Sequence, residues 1–278
     1  MKKQIGFAVL SCLLFAGFSA TNVSAQDQSA AVTPPPSVLV IMREFLKPGQ
    51  QGSPHQKTES AFVQAFTAAN WPEHYLAMDS LSGQPRALFF VGYDSFAAWE
   101  KDAQATQNNA TLAAALDSAQ TADGKLLTSD ESSTFVYRED MSVNAPVDIP
   151  HMRYMEITRI KIRPGHGQEW DALSRLHNSI YGKLPNAHWA AYQDEYGANA
   201  GSVYIFISPL KSLAEIDGFR AAAKQLRSKI SADDMKKMAD LEASCFESIQ
   251  TNLFMFNPKM SYVPEGWAKA DPDFWGQK

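Results

Sequence analysis

Cysteine is scarce in this chain. Cys12 and Cys245 are the only two, so neither a disulfide framework nor a cysteine-built metal cluster can hold the fold. The spacings that announce common chemistry are missing too. There is no G-x-S-x-G for a nucleophilic serine, no H-E-x-x-H for a zinc hydrolase, no C-x-x-C and no glycine-rich phosphate loop. Blocks of like charge are absent, and the formal net charge is −5. A nucleic acid or an anionic membrane surface demands a basic patch, so neither is an expected partner. No apolar run reaches the about 20 residues that a spanning helix needs.

What is present begins with a short positive start, Met1-Lys2-Lys3. It is followed by an apolar stretch from Ile5 to Phe18 and by Val23-Ser24-Ala25. These are the three parts of a secretory signal. They predict removal of residues 1–25 and a periplasmic or secreted protein, not attached to a membrane once the signal is gone. A lipidation box at Cys12 is disfavoured, because Leu13, Leu14 and Phe15 continue the apolar segment beyond it. Loss of Lys2 and Lys3 takes the net charge to −7 and leaves Cys245 as the sole thiol. Met238, Leu241 and Ile249 lie at helical spacing from it, which predicts a buried, inert thiol. Residues 26–37 carry Pro34-Pro35-Pro36 and are expected to form a disordered or extended leader. The full sequence is 45% hydrophobic, enough to build a core without crosslinks.

Either side of a proline-bearing break at 144–150, the sequence repeats. Arg43-x-x-x-Lys47-Pro48-Gly49 matches Arg159-x-x-x-Arg163-Pro164-Gly165. His74-Tyr75-x-Ala77 matches His188-Trp189-x-Ala191. Phe135-x-Tyr137-x-x-x-Met141-Ser142 matches Phe254-x-Phe256-x-x-x-Met260-Ser261. The offsets are 116, 114 and 119 residues. Three matches in one order predict a unit written twice, over 38–143 and 151–263, with a linker at 144–150 and a tail at 264–278.

Each unit reads as strand, helix, strand, strand, helical segment, strand. In the second, Tyr154–Ile162 is a β-rich run ended by Pro164-Gly165. Trp170, Leu173, Leu176, Ile180 and Leu184 then recur at helical spacing. Strands over 188–196 and 202–208 flank a hairpin loop at 197–201. Helices are expected over 212–229 and 231–250, with a closing strand over 253–257. The first unit repeats the order, with strands at 38–46, 74–81, 87–92 and 134–137 and helical residues at 55–70 and 95–122. This predicts an α+β fold of two ferredoxin-like βαββαβ repeats, each a four-stranded antiparallel sheet with helices on one face. Val38 to Met42 is apolar at successive positions, which implies burial on both faces. Two sheets packed face to face within one chain would satisfy that.

The run Arg163-Pro164-Gly165-His166-Gly167-Gln168-Glu169-Trp170 resembles the first-strand exit of the dimeric α-β barrel group, whose best-known branch is the antibiotic-biosynthesis-monooxygenase-like domains. Lys47-Pro48-Gly49 repeats the turn but lacks the following Glu-aromatic pair. The resemblance implies a barrel built of two such sheets. A chain carrying both sheets needs no second copy, so a monomer is expected.

Among polar residues placed to face inward, His177 lies near the buried stripe of its helix with Tyr181 four residues on. It is either a core histidine satisfied by Tyr181 or a carbonyl, or a proton shuttle, general base or haem ligand. Arg43 and Arg159 recur in the opening strands. They either pair with Glu44, Asp79, Asp194 or Glu156, or hold a carboxylate or enolate ligand. His74 and His188 recur at the second strands, where backbone hydrogen bonding is the expected role. Trp267, Phe274 and Trp275 could pin the tail over one end of the barrel.

Two functions remain open. One is binding of a small apolar or aromatic molecule, with Trp170, Tyr181 and Tyr192 lining a cavity and Arg43, Arg159, His177 or His188 as polar handles; no cofactor is needed. The other follows from the resemblance: a cofactor-independent monooxygenase or a haem-degrading enzyme, with His177 accepting a proton and Arg159 stabilising the anion.

Overall fold

The computed structural model of the chain describes residues 32–196 and 200–276. The expected signal segment, most of the leader and part of the 197–201 loop lie outside the described residues. The elements run β1 (Val38–Leu46), α1 (Ser53–Ala68), β2 (Tyr75–Ser80), β3 (Arg86–Tyr93), α2 (Phe96–Asn108), α3 (Ala110–Asp123) and β4 (Leu127–Tyr137). The same order then recurs as β5 (Tyr154–Ile162), α4 (Gly167–Tyr181), β6 (Ala190–Asp194), β7 (Val203–Leu210), α5 (Ala214–Arg227), α6 (Ala232–Cys245) and β8 (Phe246–Phe256). Two short helices, α7 (Glu265–Ala270) and α8 (Pro272–Trp275), form the tail.

Both central strands leave the sheet through the same turn. Pro48 and Pro164 supply the fixed φ that starts it, and Gly49 (φ 79) and Gly165 (φ 86) supply the left-handed residue that completes it. Any side chain at those two glycines would strain the backbone.

The eight strands close into one antiparallel barrel in the order β1-β3-β2-β8-β5-β7-β6-β4. This is the intrachain barrel expected from the sequence, and it adds that the two sheets are hydrogen-bonded edge to edge as well as facing each other. One seam pairs Met78, Asp79 and Ser80 of β2 with Phe256, Met255 and Phe254 of β8. The other pairs Phe135, Val136 and Tyr137 of β4 with Asp194, Gln193 and Tyr192 of β6. Closure gives every strand a neighbour on both sides, though each seam is only three residue pairs long, and alternate residues of every strand point into the barrel.

Leu39, Ile41, Met78, Phe135, Met155, Ile205, Phe254 and Phe256 fill the interior. Helices lie outside. Under α4 and α6 a second apolar layer joins Ile160, Ile162, Trp170, Leu173, Tyr204, Met238 and Cys245. Val38, Leu39, Val40 and Ile41 are all buried, as their unbroken apolar run predicts, whereas Met42 is exposed.

The tail closes the barrel at the end where β1 and β5 begin. Trp275 is 1% exposed, packs on Phe256 and donates its indole N–H to the Pro150 carbonyl at 2.8 Å. Residues 32–37, the described end of the leader, are tied down in part. Thr33 bridges Val147, and the Pro36 carbonyl accepts from the Tyr192 hydroxyl at 3.2 Å.

Several boundaries differ from the sequence reading. Residues 95–122 form two helices, divided at Asn109, whose side chain caps α3 by accepting from the Leu112 N–H. Residues 246–250 are strand, not helix, because they pair with β5, Gln250 opposite Arg159. Ile249 is therefore exposed and does not flank Cys245, which is nevertheless fully buried.

Candidate functional site

A cavity of about 380 Å³ opens inside the barrel at the end opposite the tail. Its depth is apolar, built from Ile41, Leu88, Phe135, Ile157, Ile205 and Phe254. Nearer the mouth it becomes polar, with Arg43, Arg86, Arg159, Glu131, Asp194, Ser133, Gln84, Gln250 and Asn252. Three guanidinium groups thus face two carboxylates around one space.

Strand parity explains the placement. Leu39 and Ile41 point inward on β1, so Arg43 must too; on β5, Met155 and Ile157 do the same for Arg159. Arg43 sits in register between Leu88 and Glu131, and Arg159 between Ile205 and Gln250. Arg43 donates to the Ser133 hydroxyl at 2.9 Å and lies over the Phe135 ring at 5.8 Å. Burial lowers its pKa; Glu131 opposes that shift and the Arg159 charge adds to it. Arg86 donates to the Asn252 side chain at 2.8 Å and to the Gln84 carbonyl at 2.9 Å, over the Phe254 ring. Arg159 makes no hydrogen bond or ion pair with another described residue. The expected ion pairs do not form. Glu44 instead meets His55 at 3.0 Å, and Asp79 accepts from Asn257 at 2.6 Å.

Among the described residues, Asp194 is the one buried acid of the cavity, 6% exposed, and its Oδ1 has no hydrogen-bond partner there. Burial raises its carboxyl above the usual range; a Tyr196 backbone N–H and the charges of Arg43 and Arg159 pull the other way. A carboxyl kept in this state can hold or accept a proton, and guanidinium groups beside an apolar floor can hold an anion with a hydrocarbon body.

Of the residues singled out in the sequence, Arg43 and Arg159 are brought together here. Tyr192 points into the barrel but is packed, 2% exposed, against Tyr137. Trp170 and Tyr181 lie in the layer beneath α4, so they do not line the cavity. His177 is exposed on α4, its ring 4.7 Å from Tyr181 and 5.6 Å from Trp189. His188 sits between the Asn186 and Pro209 carbonyls, at 2.8 and 2.5 Å, and His74 stacks on Tyr262. Of the expected handles, the two arginines line the barrel cavity, and the expected histidines and aromatics do not. Arg86, Glu131, Gln250 and Asn252 escaped the sequence reading. Parity along β8 from Phe254 would have pointed to Asn252 and Gln250, had that stretch been read as strand.

A closed eight-stranded antiparallel barrel with helices on its outer face is the dimeric α-β barrel fold, completed here within a single chain. Among solved structures it is similar to a proposed monooxygenase from Fusobacterium nucleatum subsp. nucleatum (9% identity, TM-score 0.52, covering 81% of this chain and 94% of that one). It is also similar to an anthrone oxidase-like protein (15% identity, TM-score 0.51, 80% and 92%). A chlorite dismutase from Candidatus Nitrospira defluvii aligns at a TM-score of 0.47, with 13% identity over 87% and 99% of the two chains. Comparison of the sequence with protein-family models and with curated proteins finds no match. Among the described residues, no helix is long and apolar enough to cross a membrane.

The residues present do not fit a haem. Among the described residues, no histidine, cysteine or tyrosine lines the barrel cavity to serve as an axial ligand. His177 offers a nitrogen on the outside of α4, but Trp170, Leu173, Tyr181, Leu184 and Trp189 fill the space between that helix and the sheet.

Proposed function

We propose that the barrel binds a small organic anion, its carboxylate, enolate or phenolate oxygen held between Arg43 and Arg159 and its apolar or aromatic body on the floor of the cavity. The observation that carries this reading is Arg159, a guanidinium lining the barrel cavity with no hydrogen bond or ion pair to a described residue. Charge-assisted hydrogen bonds of this kind contribute about 1.5–3 kcal/mol each. The volume suits a single-ring compound, at the lower end of known ligand cavities. Calorimetric titration with benzoate, benzyl alcohol and benzylamine tests it. Benzoate should bind, and the neutral and cationic analogues should not. Equal binding of all three, or of none, would refute the proposal.

Asp194 favours a second reading, cofactor-independent oxygenation, in keeping with the monooxygenase and anthrone oxidase-like proteins of similar fold. There Asp194 would take a proton from an electron-rich substrate, the arginines would hold the resulting anion, and dioxygen would be the oxidant. Oxygen uptake with a phenol or anthrone substrate, lost in Asp194→Asn, is its signature.

We further infer that the two halves arose by tandem duplication of one ferredoxin-like unit, supported by the matched turns and the recurring element order. An exported, monomeric protein is the form this reading expects, on the strength of the N-terminal sequence and the intrachain closure of the barrel.

A further inference from the structure

We propose that Glu44, His55, Glu59 and Asp123 bind one divalent first-row transition-metal ion between helices α1 and α3 and the outer face of β1. This site shares no residue with the barrel cavity and does not depend on what that cavity holds.

One donor atom from each of the four side chains lies within 4.8 Å of all the others. His55 Nε2 is 3.0 Å from Glu44 Oε2, 3.5 Å from Asp123 Oδ1 and 3.9 Å from Glu59 Oε1. Donors arranged tetrahedrally at about 2.1 Å from an ion are separated from one another by about 3.4 Å. The four side chains therefore already surround a space of the right size. Thr58 Oγ1, 2.5 Å from Asp123 Oδ1, orients one of the ligands from the second layer.

A second observation points to a missing partner. Glu59 is 3% exposed, and its Oε1, facing His55 from too far for a hydrogen bond, has no hydrogen-bond partner among the described residues. Three carboxylates converge here, yet no lysine or arginine among the described residues forms an ion pair with any of them. Buried carboxylates short of counter-charge are costly, and among the described residues only the single imidazole of His55 lies within ion-pair distance of the three. A divalent cation supplies the absent charge. An all-oxygen shell would suit calcium or magnesium; the imidazole nitrogen shifts preference to manganese, iron or zinc.

The other half of the molecule provides the contrast. Between α4, α6 and β5 the corresponding layer is apolar, with Ile160, Trp170, Leu173 and Met238. Where one half packs hydrocarbon, the other gathers a histidine and three acids at comparable depth. His55 is 1% and Asp123 2% exposed and only Glu44 is partly open to solvent, so the ion acts as a clamp joining two helices to a strand.

The test treats the full chain with a chelator and titrates it with Zn²⁺ and with Mn²⁺ by calorimetry, then maps hydrogen exchange with and without the ion. One ion per chain is expected, with new protection in residues 53–68 and 110–123. Glu59→Gln and Asp123→Asn should each weaken binding by at least about tenfold, and Asp240→Asn, on the exposed face of α6, should not. Unchanged affinity in both cluster variants would overturn the site. Should those variants fail to fold, the unaltered chain decides: no saturable binding of either ion, or protection confined to other segments, refutes the proposal.

Discussion

Arg43 and Arg159 are each the sixth residue of the central strand of their half, and their like charges meet across one barrel cavity. Like charges are brought this close at a cost unless something of opposite sign joins them. Glu131 and Asp194 supply part of that, and neither reaches ion-pair distance of the two arginines. The arrangement is poised for an anion from outside.

Removal of either guanidinium should weaken benzoate binding by about tenfold or more. Arg43→Gln and Arg159→Gln together should cost less than the sum of the two, because both contact one ligand group. A double-mutant cycle by calorimetry measures that coupling; strict additivity would place the arginines at separate sites.

The pH dependence has a definite sign. Burial raises the Asp194 pKa above the ordinary value, so its protonated form is favoured in the folded chain. A bound anion favours that form further. Affinity should therefore be greatest at low pH and decline as pH rises through the raised Asp194 pKa. Benzenesulfonate, whose own charge does not change over this range, is the suitable probe. Asp194→Asn should flatten the profile, and an unaltered slope in that variant would assign the titration elsewhere.

Trp275 closes the far end of the barrel. Its replacement by alanine removes a fully buried indole and the hydrogen bond to Pro150, and should destabilise the chain by about 3–5 kcal/mol in denaturant unfolding. A loss below about 1 kcal/mol would mean that the tail is only lightly docked.

Because both seams of the barrel lie within one polypeptide, light scattering at micromolar concentration should report a single chain. An obligate dimer would show that the sheets are shared between copies instead.

Much of this arrangement was legible in the sequence, for physical reasons that can be named. The Pro-Gly turns announce themselves because only glycine accepts the φ of Gly49 and Gly165. Arg43 and Arg159 stood out as charges recurring in apolar strands. The polar first halves of β4 and β8 did not read as strand. Residues 128–132 and 247–251 are exposed and lack alternation, and they are held as strand by pairing with β1 and β5 rather than by their own pattern. That error hid Gln250 and Asn252. His177 was misleading because four-residue spacing places a side chain near a stripe without showing which side of its edge is wet. The Glu44–His55–Glu59–Asp123 cluster was invisible, since its members come from three elements that only the folded chain brings together.

The most direct measurement is a crystal structure of the protein soaked with benzenesulfonate. The account predicts the sulfonate between Arg43 and Arg159 with the ring against Phe135 and Phe254. Density for the ligand under α4 beside Trp170 and His177, with the barrel cavity holding only water, would contradict it.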